Sequence, residues 1–451
     1  MKKNVVKKAL AMLCAASMIA AMTGCGSNSG NDKTTQSDTT SATASEAPAT
    51  VTEPITIELW HTRGEGKNGD EMNRVVDEFN KTNEYGITVK PTYIGAYDET
   101  LSKTVTAIGA GDNPTLVLLA ATPGVDTLAS MDCLQDLTPY IERDNFDVKN
   151  INDAFTYKMY YDDKIISMPY VRSCTEILYN KDLFDQAGIS EIPTDWKEFT
   201  EACKTVKEKT GVCGFMTTPD ATYFQNTWLR SMGGDGIISK DGKGANCLDD
   251  GTMQTLLTDW LAGVNDGWMK QYDPTNKDDV EQAFTNKQVA AISVSSGVLA
   301  SYIDLAKQAG FNLGAASMPG YSGESTAEIG GGNIAIIKNN SNDQQIAAAW
   351  EFIKFLLNDE NVATNAINTG YLPITNSSVE TEQIQNLWKD DPRFTVGWDS
   401  LKNGTEVYYS AKASEWRTSL QEVFDCVIVD KSMTPEDAVK YLKSQEAIVF
   451  N

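Results

Sequence analysis

From Ile55 onward, short apolar runs alternate with stretches in which apolar residues recur every three to four positions, a pattern that predicts strands separated by helices. Residues 55–60 read as a strand, followed by a glycine-containing loop and a helix over 70–80. In that helix Met72, Val75, Val76 and Phe79 share one face, which must be buried. A strand at 87–94, a helix at 98–110 and an apolar strand at 115–120 complete a β-α-β-α-β run. Such a run implies a largely parallel, doubly wound sheet, in which ligands collect at the carboxyl ends of the strands.

A second α/β region begins near Cys174. Thr194-Asp195-Trp196 starts a long helix, with Thr194 as the expected N-cap. Helices follow at 222–232 and 253–265, then a strand at 289–294. Ile346, Trp350, Ile353 and Leu357 place a one-sided helix over 343–357. Thr434-Pro435-Glu436-Asp437 has the composition of a helix start.

The first 52 residues fit neither period. Lys2, Lys3, Lys7 and Lys8 make a basic opening, residues 9–22 are apolar, and Met22-Thr23-Gly24-Cys25 closes the segment. This is the layout of a secretory signal, with an apolar run too short to span a bilayer. A cysteine directly after small residues resembles the bacterial lipobox, in which the thiol is acylated before cleavage. The alternative is an ordinary signal peptide that contains a cysteine by chance. On the lipobox reading, residues 1–24 are removed and lipid on Cys25 holds the protein outside the cytoplasmic membrane. Residues 25–52 then form a tether. Twelve of the 27 residues from Gly26 to Thr52 are Ser or Thr, too polar to bury a core. The reach of such a segment is roughly 25 to 30 Å.

Charge narrows the function. Without the four lysines of the leader the chain has 34 basic and 62 acidic residues, a net charge of −28. That surface repels nucleic acid and anionic lipid. It does not forbid an anionic ligand at a local cation, because distant charges are screened beyond about 8 Å. Beyond Cys14 and Cys25 the cysteines are Cys133, Cys174, Cys203, Cys213, Cys247 and Cys426; their spacing matches no zinc pattern. A bridge such as Cys203 with Cys213 stays open. Gly64, Gly66 and Gly69 spell G-x-G-x-x-G, but His61-Thr62-Arg63 separate them from the strand and no acid closes the second strand. His61 is the only histidine, so histidine-assisted hydrolase chemistry has one candidate with no evident partner. No catalytic residue, cofactor or metal is expected, although paired-carboxylate chemistry leaves an anchored glycosidase as the rival class.

Three blocks carry a resemblance: Tyr179-Asn180-Lys181-Asp182-Leu183-Phe184 with Ala187-Gly188-Ile189, Pro193-Thr194-Asp195-Trp196, and the segment from Phe284 to Ile292. In this order, behind a lipobox, they resemble the extracellular solute-binding proteins of bacterial ABC importers, the class of maltose-binding protein. Trp60-His61, the segment Pro91 to Tyr97, Ser295-Ser296-Gly297, Ile329-Gly330-Gly331 and the segment Thr369 to Thr375 are most similar to the glycerol-3-phosphate-binding branch.

The resemblance implies an α/β, two-lobed type II binding-protein fold, each lobe a doubly wound, mostly parallel sheet. The N-terminal lobe would take residues 53–171 and 334–377, the C-terminal lobe 172–333 and 378–451. It implies ligand contacts at Tyr97, Ser173, Ser295, Gly331, Tyr371 and Arg417, with His61, Arg172 and Tyr223 as further candidates. The branch's acidic contact falls on Ala121. The implied ligand is glycerol-3-phosphate or a related polyol phosphate, with a neutral mono- or oligosaccharide as the alternative. The implied partners are ABC permease subunits and, through Cys25, the membrane; the receptor would act as a monomer.

Overall fold

The computed structural model describes residues 48–218, 224–276, 278–406 and 408–450. The leader, Cys25, most of the tether and Tyr223 lie outside the described residues. Among the described residues eleven strands form. In chain order they are β1 Ile55–His61, β2 Ile87–Tyr93, β3 Leu116–Ala120, β4 Tyr160–Tyr161, β5 Lys164–Ile165 and β6 Met168–Asn180. After these come β7 Cys213–Met216, β8 Val289–Ser295, β9 Leu313–Ser317, β10 Ala327–Ile336 and β11 Gly404–Thr405.

The principal sheet runs β2-β1-β3-β10-β6-β8-β7. β2, β1 and β3 are parallel, joined by the helices Lys67–Thr82 and Tyr97–Ala110, as the β-α-β-α-β pattern requires. β7 and β8 are also parallel, whereas β10 and β6 run antiparallel to their neighbours. Successive residues of β3 feed opposite faces: Leu116 and Leu118 enter one core, Val117 and Leu119 another, so this part of the sheet is covered on both sides.

Two large cores result. One draws on residues between Ile57 and Cys174 and between Ala327 and Ile374; the other draws on residues between Ile177 and Met318 and between Ala413 and Val449. The thirteen-residue strand β6 joins them. Its first half pairs with β10 and puts Tyr170, Val171 and Cys174 into the first core. Its second half pairs with β8 and β9 and puts Ile177 and Leu178 into the second. Met72, Val75, Val76 and Phe79 are all buried in the first core, as their spacing predicts.

One sequence expectation needs correction, and one question that the sequence left open is answered. The long helix Trp196–Thr210 is capped by Asp195, whose side chain accepts from the Glu198 amide at 2.9 Å, and not by Thr194. A carboxylate one residue nearer the helix simply reaches that amide first. Cys203 and Cys213 form no bridge; all six cysteines of the described residues are free thiols. Cys203 is buried against the second core, while the Cys213 thiol donates to the Gly267 carbonyl. Among the described residues no helix is long and apolar enough to cross a membrane.

Candidate functional site

A cavity of about 310 Å³ opens where the two halves of β6 meet, and it is built mainly from strand ends. β3 contributes Ala120, with Thr122 just beyond it; β6 contributes Ser173, β8 contributes Ser295, and β10 contributes Glu328 to Gly331. Four further side chains join them, along with Tyr157 and Val298. Tyr97 and Asp98 lie in the first turn of the helix Tyr97–Ala110, Tyr371 follows the helix Asp359–Thr369, and Arg417 comes from the helix Ala413–Phe424. Tyr97, Ser173, Ser295, Gly331, Tyr371 and Arg417, residues spread over most of the chain, thus share one wall.

Local structure explains each position. Gly331 has φ +101°, and a Cβ there would lie 1.9 Å from the Val171 carbonyl oxygen, so only glycine fits where β10 approaches β6. Ser295 ends β8 and caps the following turn, its Oγ accepting from the Gly297 amide at 3.2 Å. That leaves its O–H to donate. Tyr371 is held from behind: the Arg63 guanidinium lies 4.6 Å from its ring centre, and Arg63 donates to Asn68 and Asn365. Burial pushes the Tyr97 hydroxyl above the usual phenol range, so it serves as a neutral donor.

The charged groups are few. Arg417 Nη1 contacts Asp98 Oδ1 at 3.4 Å, while its Nε is buried without a partner among the described residues. Glu328 is fully buried, and burial drives its carboxyl well above the ordinary range. Its Oε2 accepts from Asn226 Nδ2 at 2.6 Å and from Thr405 Oγ1 at 3.3 Å. Among the described residues no group of three or more His, Cys, Asp or Glu could hold a metal ion.

Two candidate contacts do not line this cavity. Arg172 is fully buried, and its Nη2 donates to Asn333 Oδ1 at 2.6 Å and to the carbonyls of Phe155 and Tyr157. Successive side chains of a strand point to opposite faces, so the neighbour of Ser173 is turned away from the cavity. Arg172 instead backs the wall, stacked 4.3 Å from the ring centre of Tyr157, which does line it. His61 ends β1, is 4 % exposed, and accepts from the Arg63 amide at 3.3 Å. Burial, and then the Arg63 charge, lower its pKa to about 4. Ala121 is buried between Ala120 and Thr122. The sequence reading missed Asp98, Tyr157 and Glu328; only Asp98, adjacent to Tyr97 in a matching block, carried a usable signal.

Comparison with known proteins agrees with this architecture. Residues 74–396 match the family model for bacterial extracellular solute-binding proteins. The sn-glycerol-3-phosphate-binding periplasmic protein of Yersinia enterocolitica is 27% identical over 419 residues, covering 88% of this chain and 92% of the relative. Among solved structures, the UgpB protein of Mycobacterium tuberculosis in complex with glycerophosphocholine superposes with TM-score 0.76 at 21% identity, covering 88% of this chain and 98% of that one. An ABC substrate-binding protein of Listeria monocytogenes in complex with cycloalternan gives 0.75 at 23%, with the same coverage. These likenesses establish the two-lobed periplasmic-binding-protein fold. The chain belongs to the bacterial extracellular solute-binding proteins, receptors that capture small solutes outside the cytoplasmic membrane for ABC importers and catalyse no reaction.

Proposed function

We propose that this receptor binds a polyol phosphate, sn-glycerol 3-phosphate or a glycerophosphodiester, between two lobes and delivers it to a permease while lipid on Cys25 anchors it. The observation that carries the reading is the convergence of one guanidinium, Arg417, with the hydroxyls of Tyr97, Ser173, Ser295 and Tyr371 and the bare backbone of Gly331 in one cavity. A phosphate entering a cleft must exchange its hydration for donors of this kind, since an unpaired buried charge is costly. Each charge-assisted hydrogen bond contributes roughly 1.5–3 kcal/mol net. The glycerol-3-phosphate-binding relatives support the same ligand class.

The lobes would be residues 53–171 with 334–377 and residues 172–333 with 378–451, close to the division between the two cores apart from Cys174, Ala327 and Ile329, which pack in the first, and would close as hinged bodies around the ligand. For the anchor, only the part of the expected 25–52 tether that precedes the described residues could leave the body free to meet its permease. Arg143 donates to the Ala49 carbonyl at 2.6 Å, the Thr52 amide donates to Gln344 at 2.8 Å, and Val51 packs on the first core. Labelled palmitate should enter the parent in cells, and Cys25→Ala should take up none and be released from the membrane fraction.

A neutral sugar is the second reading. Arg417 already faces Asp98, and position 121 holds alanine where the glycerol-3-phosphate branch has an acid. Titration calorimetry on the parent and on Arg417→Ala separates the two. For a phosphate ester the truncation weakens binding by about 2–5 kcal/mol, as expected when one partner of a buried charge pair is removed. For a neutral sugar the loss is about 1 kcal/mol, one ordinary hydrogen bond. Binding of maltose by the parent with no response to glycerol phosphates reverses the order of the readings.

A further inference from the structure

Glu328 is the most heavily constrained acid in the cavity wall. It lies in β10, its amide donates to Thr175 Oγ1 at 3.0 Å, and it is inaccessible to solvent. One oxygen of its carboxyl is fixed by a chain of two hydrogen bonds. The Ile237 amide donates to Asn226 Oδ1 at 2.9 Å, which sets the orientation of that side-chain amide. Asn226 Nδ2 then donates to Glu328 Oε2 at 2.6 Å, with Thr405 Oγ1 on the same oxygen at 3.3 Å. The other oxygen, Oε1, is buried and has no hydrogen-bond partner among the described residues.

A buried polar atom left unpaired is destabilising, and native structures keep few of them. Here the atom belongs to a residue that lines the cavity together with Tyr157, Ser173 and Arg417, and whose other carboxyl oxygen is already fixed by Asn226 and Thr405. The cavity's other acid, Asp98, faces Arg417. We infer that Glu328 is a specificity-determining ligand residue, whose Oε1 hydrogen-bonds a hydroxyl of the bound polyol. The inference rests on the polyol phosphate reading. Burial keeps the carboxyl protonated, so it can approach a phosphate ester without repelling it and can donate to a hydroxyl oxygen as well as accept from one.

The test is calorimetric and uses the purified protein with three probes of equal charge. These are sn-glycerol 3-phosphate, 3-hydroxypropyl phosphate and 2-hydroxypropyl phosphate, the last two each lacking one hydroxyl. A site built to hydrogen-bond a hydroxyl rejects the analogue without it strongly. The parent should therefore disfavour one analogue by about tenfold or more. Glu328→Ala should compress that ratio to within about threefold, whereas Glu328→Gln, which keeps an acceptor for Asn226 and presents an N–H where the protonated carboxyl presents its O–H, should retain most of it. Because the readout is a ratio within each variant, a general loss of folding cancels out. A merely structural role would weaken all three probes equally and leave the ratio intact, which overturns the inference. A parent that does not discriminate overturns it as well. If the parent binds none of the probes, the polyol phosphate reading falls and this inference falls with it. Arg417→Ala should weaken all three while keeping the discrimination, which separates the two claims.

Discussion

Glu176 should make the folded protein lose stability as pH rises through neutrality, and Glu176→Gln should remove the share of that loss that this residue carries. The residue sits in β6 with Val294 and Ser317 as register neighbours, is fully buried, and has no partner for either carboxyl oxygen among the described residues. Burial alone pushes its pKa from 4.5 to about 8. The folded chain therefore holds a proton that the unfolded chain releases above pH 4.5. The stability linked to this group is whole below that pH and declines as pH rises to about 8. At about 1.36 kcal/mol per unit, the loss is under about 1 kcal/mol at pH 5 and about 4 to 5 kcal/mol at pH 8.

His61 acts with the opposite sign. Its folded pKa of about 4 lies below the ordinary 6.5, so its contribution improves as pH rises across that interval. The two slopes oppose each other between pH 4.5 and 6.5, and above 6.5 the opposition from His61 ends. Glu328, also raised by burial, adds to it. A buried amide and a buried neutral acid leave comparable polar atoms unpaired, so the pH-independent part of Glu176→Gln nearly cancels. Urea midpoints followed by tryptophan fluorescence at pH 5, 6.5 and 8 supply the assay. The variant and parent should nearly coincide at pH 5 and diverge steadily to pH 8. Parallel curves across the range would refute the claim that this carboxyl is neutral in the fold.

Gly331→Ala should lower stability by at least about 2 kcal/mol, because alanine can neither adopt φ +101° comfortably nor escape the Val171 carbonyl; thermal unfolding measures it. In the native state a disulfide exchange reagent should react quickly only with the half-buried Cys213 and Cys426, whereas Cys133, Cys174, Cys203 and Cys247 react on unfolding. Fast labelling of Cys174 or Cys203, whose thiols burial holds well above the usual range, would contradict the packing of both cores. Asp98→Asn should tighten binding of a phosphate ester several-fold and leave a neutral sugar unchanged; calorimetry that finds both ligands weakened would make the Asp98–Arg417 pair a closing contact instead.

The parts of this molecule visible in the sequence are those in which one local pattern decides the outcome. Met72, Val75, Val76 and Phe79 had to share a buried face whatever they packed against. The cavity residues were placed by short blocks that resemble a family, and the cavity draws together Tyr97, Ser173, Ser295, Gly331, Tyr371 and Arg417. Arg172 shows a local rule overlooked: beside Ser173 in a strand, it had to face the other way. Glu328 shows the opposite case. Nothing in Ala327-Glu328-Ile329 indicates a buried acid, because the groups that hold it, Asn226 and Thr405, lie 102 and 77 residues away. Cys203 and Cys213 flank one helix end, yet their partners are set by the sheet and by Gly267 rather than by spacing.

A chain of net charge −24 can hold an anion only if the acids nearest the site are silent, and the cavity supplies a different means for each. Glu328 is silenced by burial, which keeps its proton in place and turns a repelling group into a hydrogen-bonding one. Asp98 is not buried: its side chain is 63 % exposed, and its contact with Arg417 at 3.4 Å is loose. Exposed pairs of this kind are worth about 0–1 kcal/mol, less than a single charge-assisted bond to a phosphate. An incoming dianion, on the polyol phosphate reading, would take Arg417 from Asp98 at small expense, because the displaced carboxylate is already largely exposed to water. A neutral sugar has no such leverage and leaves the pair intact. On the polyol phosphate reading, then, the two side chains should separate on binding, whereas a neutral sugar should leave them paired, and that difference is what a structure of the complex would test.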